Sequence, residues 1–359
     1  MQQFIAKIGK GHKRTKDLTW DEAKESMRTI IESQATPGQI GAFLMAMRIK
    51  TESISELASF TAAARHYVPP LKLPSPSQVV DVPMYGEKHD TCHAIVASAL
   101  IAAAAGAPIL IHGTSNTAAA STVPDILQQL GISITQPVEQ LTQFQFAYLD
   151  LETYHPPLAK LLDLRHEFGV QNLSHQVARM LNPARASSQV IGIAHPPYLD
   201  KMIEALHMLG TPRVMVLQGV EGAPELSIST ATPARELRND HITRLMIRPQ
   251  DIGLSFGAFQ AMGHSSLPHI QHTSIAQQEA ALIRQLLQNP TQGDYRAWVI
   301  LNAALLLYAA GKASSLVQAT PLAEHTLDSG MALKKLQALT TQSSLSTETL
   351  DLPTETVSA

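Results

Sequence analysis

The chain has 359 residues, of which 45% are hydrophobic and 16% charged, with a formal net charge of −3. That describes a folded protein long enough for a large core and for two structural domains, and it excludes a polycation, so any nucleic-acid binding would need a local basic patch. A single cysteine, Cys92, excludes an internal disulfide framework and fits a reducing compartment. No apolar run reaches the roughly 18 residues of a membrane span, and the amino terminus has no apolar signal core, so the cytoplasm is the expected location.

Lys7, Lys10, Lys13, Arg14 and Lys16 place five positive charges in ten residues, interleaved with Gly9 and Gly11. The cluster reads equally as a solvated turn and as a phosphate-contacting patch. Thr19 and Glu22 form a capping box that predicts a helix through Ile31. Thr36, Pro37 and Gln39 open a second helix with Ile40, Phe43, Leu44 and Met47 on one face. It closes on Arg48 and Lys50, cations well placed at a helix C-terminus and also candidates for phosphate contact. Ser53 and Glu56 cap a third helix running to about residue 66. Such short helices cannot bury their apolar faces alone, so they must pack on the rest of the chain or on a partner subunit.

A Pro/Ser-rich linker spans 67–77. Residues 79–132 then read as strand (79–82), Ala-rich helix (91–105, ended by Gly106), strand (108–111) and helix (125–130), with a third strand at 146–149. Loops 83–90 and 112–122 leave the carboxyl ends of the first two strands, where open α/β sheets bind ligands. The pattern is helical between 156 and 183. Strands are predicted at 189–194, 213–217 and 226–230, with an amphipathic helix at 198–209. This alternation implies a largely parallel sheet. Helices follow at 274–287, 294–310, 321–325 and 328–339, and the Ser/Thr-rich segment 341–359 reads as a disordered tail.

Several segments resemble the anthranilate phosphoribosyltransferases (TrpD) of the glycosyltransferase family 3 fold: IGAFLMAMRIK (40–50), AAAAG (102–106), His112-Gly113, LNPAR (181–185), PELS (224–227), LNAA (301–304), YAAGKA (308–313) and DSG (328–330). The resemblance implies an α/β fold class of the nucleoside phosphorylase/phosphoribosyltransferase kind. A small helical domain (1–70, completed by 156–186) would join a larger α/β domain (78–155 and 187–340) with a mostly parallel central sheet. It also implies a homodimer formed through the helical domain.

The same comparison implies a degenerate ligand site. The family's glycine-rich pyrophosphate loop is matched by Pro83, Met84, Tyr85, Gly86 and Glu87; proline has no N–H to offer, and Met84 and Tyr85 add bulk. The Asn-x-Ser-Thr that opens the next helix is matched by His93, Ala94, Ile95 and Val96. The Lys-His-Gly-Asn element is Ile111, His112, Gly113 and Thr114, and the downstream phosphate loop is Ala118, Ala119, Ala120 and Ser121. The acidic pair for magnesium is matched by Pro224 and Glu225, so no cofactor is expected, magnesium included unless transferase activity is retained. His175 lies in the segment that replaces the family's Phe-Asn-Leu-Leu-Gly-Pro run.

The departures themselves (IGKG at 8–11, KDL at 16–18, PMYG at 83–86, IHG at 111–113, GVQNLSH at 169–175) resemble the divergent TrpD-like subfamily typified by the YbiB protein, which is associated with nucleic acid. The expected function is therefore a catalytically degenerate homodimer, more a binder than an enzyme. It would hold DNA or RNA non-specifically through Lys7, Lys10, Lys13, Arg14, Lys16, Arg48, Lys50, Arg165, Arg179 and Arg185. Arg165 reads equally as an anion contact and as a helix-end salt bridge; Arg179 and Arg185 read equally as phosphate contacts and as supports of the 182–183 turn. His112 and His175 read as hydrogen-bonded scaffold. His264, His269 and His272 lack a second ligand group, so no metal is expected. The alternatives are a phosphoribosyltransferase with an altered site or substrate, and a non-enzymatic scaffold or regulatory protein.

Overall fold

A computed structural model describes residues 1–11, 14–117, 119–267 and 272–348. Four helices begin the chain: α1 (Gln2–Ile8), α2 (Trp20–Ile31), α3 (Pro37–Lys50) and α4 (Ile54–Arg65). Thr19, Thr36 and Ser53 each complete a capping box, so three helix starts are fixed locally by side chains satisfying N-terminal N–H groups. Met27, Phe43, Leu44, Met47, Leu57 and Phe60 form the buried contact between these helices.

The α/β part contains β1 (Val80–Met84), α5 (Ala94–Ala104), β2 (Ile109–Gly113), α6 (Val123–Gln129), α7 (Pro137–Phe144) and β3 (Phe146–Asp150). α8 (Leu151–Tyr154), α9 (Pro156–Phe168) and α10 (Leu173–Arg179) follow, with α10 packing on α4. The chain then forms β4 (Ser188–Ile193), α11 (Tyr198–Met208), β5 (Arg213–Gln218), β6 (Thr232–Arg238) and β7 (His241–Ile247). It closes with α12 (Ile275–Gln288), α13 (Asp294–Ala309), α14 (Leu316–Asp328) and α15 (Met331–Glu348).

The sheet order is β3-β2-β1-β4-β5-β6-β7, parallel through β5 and antiparallel beyond it. Strand alternation divides the core. Val80, Val82, Ile109 and Ile111 face α5 and α13, whereas Leu110, Ala147, Ile191 and Val216 face α11 and the helical domain. Helix α5 is buried at every position from Ala94 to Ala103, which is why its sequence is apolar all round.

Two expectations are corrected. Residues 226–230 form no strand: Leu226 and Ile228 are buried in a loop, and burial alone produced the apolar run. The strands lie just beyond, as the β6–β7 hairpin. Its two-residue turn, Asn239-Asp240, has both φ values positive, at 50° and 65°, the geometry that suits strand twist. Helix α15 continues to Glu348, into the segment read as a tail; residues 349–359 lie outside those described. No helix among the described residues is long and apolar enough to cross a membrane.

Candidate functional site

From β1 the chain winds through β2 to β3 on one side of the sheet, and from β4 to β5 on the other. The gap beyond the carboxyl ends of β1 and β4 is therefore the topological switch point, where ligands bind in such folds. A cavity of about 190 Å³ lies there, walled by Gly86, Glu87, Gln176, Arg179, His195 and Tyr198. A second cavity of about 470 Å³ shares Gln176, His195 and Tyr198 and extends to Arg48 and Thr51 of the helical domain. The loops after β1 and β5 close tightly over the end of β4. A Cβ on Gly86 would stand 2.8 Å from the Gly222 backbone, and one on Gly192 would stand 2.0 Å from the Ala223 carbonyl carbon.

Arg179, in the last turn of α10, lines this cavity together with the carboxylates of Glu87, which pairs with Arg165, and Glu221, which accepts from backbone N–H groups. Arg179 is 4% exposed. Its Nη1 donates to the His175 carbonyl at 2.9 Å and its Nη2 to the Tyr85 carbonyl at 3.0 Å. Nε has no acceptor, and no carboxylate pairs with the guanidinium among the described residues. Burial pulls its pKa down to about 10. The neighbouring His175 is neutral, its pKa pushed down to about 3 by burial and then by the Arg179 charge. His175 serves as scaffold: its Nδ1 accepts from the Asn172 N–H. His112 is scaffold too, with Nδ1 3.0 Å from the hydroxyls of Tyr85 and Tyr154 and Nε2 3.3 Å from Asp81.

The loop at 112–122, singled out in the sequence, encloses very little. Between Met84, His93, Thr114, Ser121 and Tyr148 the cavity measures about 10 Å³, room for about one water. Thr114 Oγ1 accepts from the Asn116 N–H. Glu279 of α12 reaches this region, accepting from the His93 N–H at 2.6 Å and from Ser121 Oγ, with His93 Nδ1 at 3.1 Å and His264 at 3.7 Å. Burial alone would raise the Glu279 carboxyl, but His93, His264 and Ser121 outweigh it and hold it well below the usual range. A second carboxylate, Glu225, accepts from the Ile95 N–H at 2.9 Å. The start of α5, which in such folds can receive phosphate, is thus served by two of the protein's own carboxylates.

The ten cations read as phosphate contacts do not share one free surface. Lys7 pairs with Glu22, and Arg165 pairs with Glu87. Lys50, 4% exposed in its side chain, lies between Asp17 and Glu56 at 2.5 and 2.7 Å. Lys10, Arg14, Lys16 and Arg48 are exposed, and Lys13 lies outside the described residues. Arg185 is exposed beside a separate cavity of about 430 Å³ near Arg65 and Asn182. Among the described residues no group of three His, Cys, Asp or Glu side chains could hold a metal; His269 lies outside them.

The sequence did not single out His195, Tyr198, Gln176, Lys88 or Glu279. His195 directly follows a predicted strand, which is the one local signal available. Glu279 reads only as one acidic position in an amphipathic helix, because its partners are 158 and 186 residues away.

Residues 78–333 match the "Glycosyl transferase family, a/b domain" and residues 2–68 the "Glycosyl transferase family, helical bundle domain". The chain is 31% identical to anthranilate phosphoribosyltransferase of Pseudomonas putida over 331 residues, covering 90% of this chain and 92% of that one. It is 32% identical to the Desulfitobacterium hafniense enzyme over 318 residues, covering 87% and 91%. The structure of the Thermus thermophilus enzyme superposes with a TM-score of 0.82 at 26% identity, covering 95% of this chain and 98% of that one. The Saccharomyces cerevisiae enzyme in complex with PRPP and Mg shares the fold, with a TM-score of 0.78 at 15% identity, covering 96% and 98%. These near-full-length similarities overturn the expectation of a degenerate nucleic-acid-binding protein. The ion pairs of Lys7, Lys50 and Arg165 remove part of the basic surface on which it rested.

Proposed function

The chain belongs to the glycosyl transferase family defined by that pair of helical-bundle and a/b domains, and we propose that it is a phosphoribosyltransferase with an altered ligand site. The relatives at 31% and 32% identity are phosphoribosyltransferases along nearly their whole length. The observation that carries the reading within this chain is Arg179. A buried guanidinium bonded only to two neutral carbonyls is costly unless an anion meets it, and it lines the cavity at the switch point. The transferred group's phosphate or the acceptor's acid group supplies such an anion. The pocket at the start of α5 does not, since Glu279 and Glu225 already serve its N–H groups.

The test is turnover of phosphoribosyl pyrophosphate with anthranilate, the acceptor named for the relatives, and with a panel of other aromatic and heterocyclic acids. Each assay is paired with Arg179→Gln. Product that depends on Arg179 supports the reading. No consumption of phosphoribosyl pyrophosphate with any acceptor, together with no binding of it by calorimetry, refutes it. We further propose a homodimer through the helical domain, where Trp20 and Ile49 are the large exposed apolar side chains, and a cytoplasmic location.

A further inference from the structure

The magnesium implied by the resemblance and by the yeast complex does not fit the residues present. Of the pair matched to its acidic ligands, Pro224 has no carboxylate, and Glu225 is fully buried with both oxygens engaged. One accepts from the Ile95 N–H at 2.9 Å and the other from Lys88 Nζ. Glu221, the acid next before this pair in the sequence, is also committed. It accepts from the backbone N–H groups of His89, Asp90 and Thr91 at 2.9, 3.1 and 2.9 Å, and from the Thr91 hydroxyl.

Lys88 is the residue that changes the chemistry. It is fully buried, its Nζ stands 5.2 Å from the centroid of the Trp298 ring, and Glu225 is its ion-pair partner. Trp298 in turn donates from Nε1 to the Leu226 carbonyl at 2.8 Å, so cation, carboxylate and ring form one buried unit tying the β1 loop to α13. Magnesium demands near-ideal octahedral oxygen ligation and gives up water reluctantly. A dication there would displace the lysine from its carboxylate and face its charge at short range.

We propose that the Lys88 ammonium is the resident cation of this site and occupies the carboxylate that would otherwise ligate a divalent ion, so that the chain holds no divalent metal at Glu225. The identity of the displaced ion rests on the phosphoribosyltransferase reading, but the test uses no substrate and stands or falls apart from turnover. Mn²⁺ is titrated into the full-length protein while the two tryptophan indole N–H signals are followed by NMR, with Trp20→Phe assigning them. A metal at Glu225 would lie close enough to broaden the Trp298 signal. The expected result is a Trp298 signal that loses no more intensity than the Trp20 signal at any Mn²⁺ concentration. Selective loss of the Trp298 signal at low Mn²⁺, abolished in Glu225→Gln, overturns the proposal. Lys88→Met frees the carboxylate and should bind Mn²⁺ about tenfold or more tighter than the wild type. Equal affinity in a folded Lys88→Met variant also counts against it.

Discussion

Arg179→Met separates a binding role for this arginine from a structural one by the sign and size of its effect. The side chain keeps an unbranched apolar stem, ends short of the guanidinium position and loses its charge. Burial lowers the guanidinium from its ordinary value to about 10, which corresponds to an unfavourable desolvation on the order of 3 kcal/mol. Against that relief, the carbonyls of His175 and Tyr85 lose their donors, at roughly 1–3 kcal/mol for each group left unsatisfied. The two effects oppose each other, so the variant should lie between about 1 kcal/mol more stable and about 3 kcal/mol less stable than the wild type. Deleting one member of a matched buried ion pair would instead cost about 3–5 kcal/mol. Urea unfolding with and without phosphoribosyl pyrophosphate reads both quantities. At about a hundredfold excess over Kd the ligand should stabilise the wild type by about 2.7 kcal/mol and the variant hardly at all. A variant that loses more than about 3 kcal/mol without ligand, or is stabilised by ligand as much as the wild type, refutes the argument.

Other expectations follow from the same geometry. Glu279→Gln should lose about 2–3 kcal/mol at pH 7, because hydrogen bonds to an ionised group are lost. Its pH dependence has a definite sign. The wild-type carboxyl is held below its unfolded value of about 4.3, so its contribution is full above that pH and drains away as the pH falls below it. Urea midpoints from pH 7 to pH 3 should therefore fall less steeply for the variant than for the wild type, and parallel curves would contradict the assignment. Gly192→Ala would place a Cβ 2.0 Å from the Ala223 carbonyl carbon, which cannot move aside as a side chain can, so thermal unfolding should show a loss of about 1–3 kcal/mol. Sedimentation should return twice the 38.9 kDa chain mass if the proposed dimer forms, and Ile49→Glu should shift it toward monomer.

What the sequence made legible was whatever is decided locally. The capping boxes at Thr19, Thr36 and Ser53 depend on residues three apart, and the structure forms all three. The α5 segment announced its burial by being apolar on every face. What stayed hidden depends on which strands become neighbours. Strand order placed β4 beside β1, and only then do His195 and Tyr198 meet Gly86 and Arg179 around one cavity. Lys88 was not singled out because its carboxylate is 137 residues away. The run at 226–230 misled for the complementary reason: an apolar loop folded into a core carries the same residue types as a buried strand.

The charges around the sheet's carboxyl edge bear on where the proposed ligand site can lie. A helix start such as that of α5 needs acceptors, and phosphate is one way to provide them. Here Glu279 and Glu225 provide them from distant parts of the chain, and Lys88 balances Glu225. That corner is electrostatically complete, so an added phosphate would meet two carboxylates where it needs donors. A short distance along the same edge the balance is reversed: Arg179 is buried, its acceptors are neutral, and its Nε has none. An uncompensated buried charge is costly to folding, and a ligand anion that meets it recovers that cost as binding energy. On the proposed reading, anion recognition lies in the β1–β4 crevice rather than at the start of α5, so substitutions at Arg179 should govern ligand affinity while those at Lys88, Glu225 and Glu279 should govern the integrity of the α5 corner.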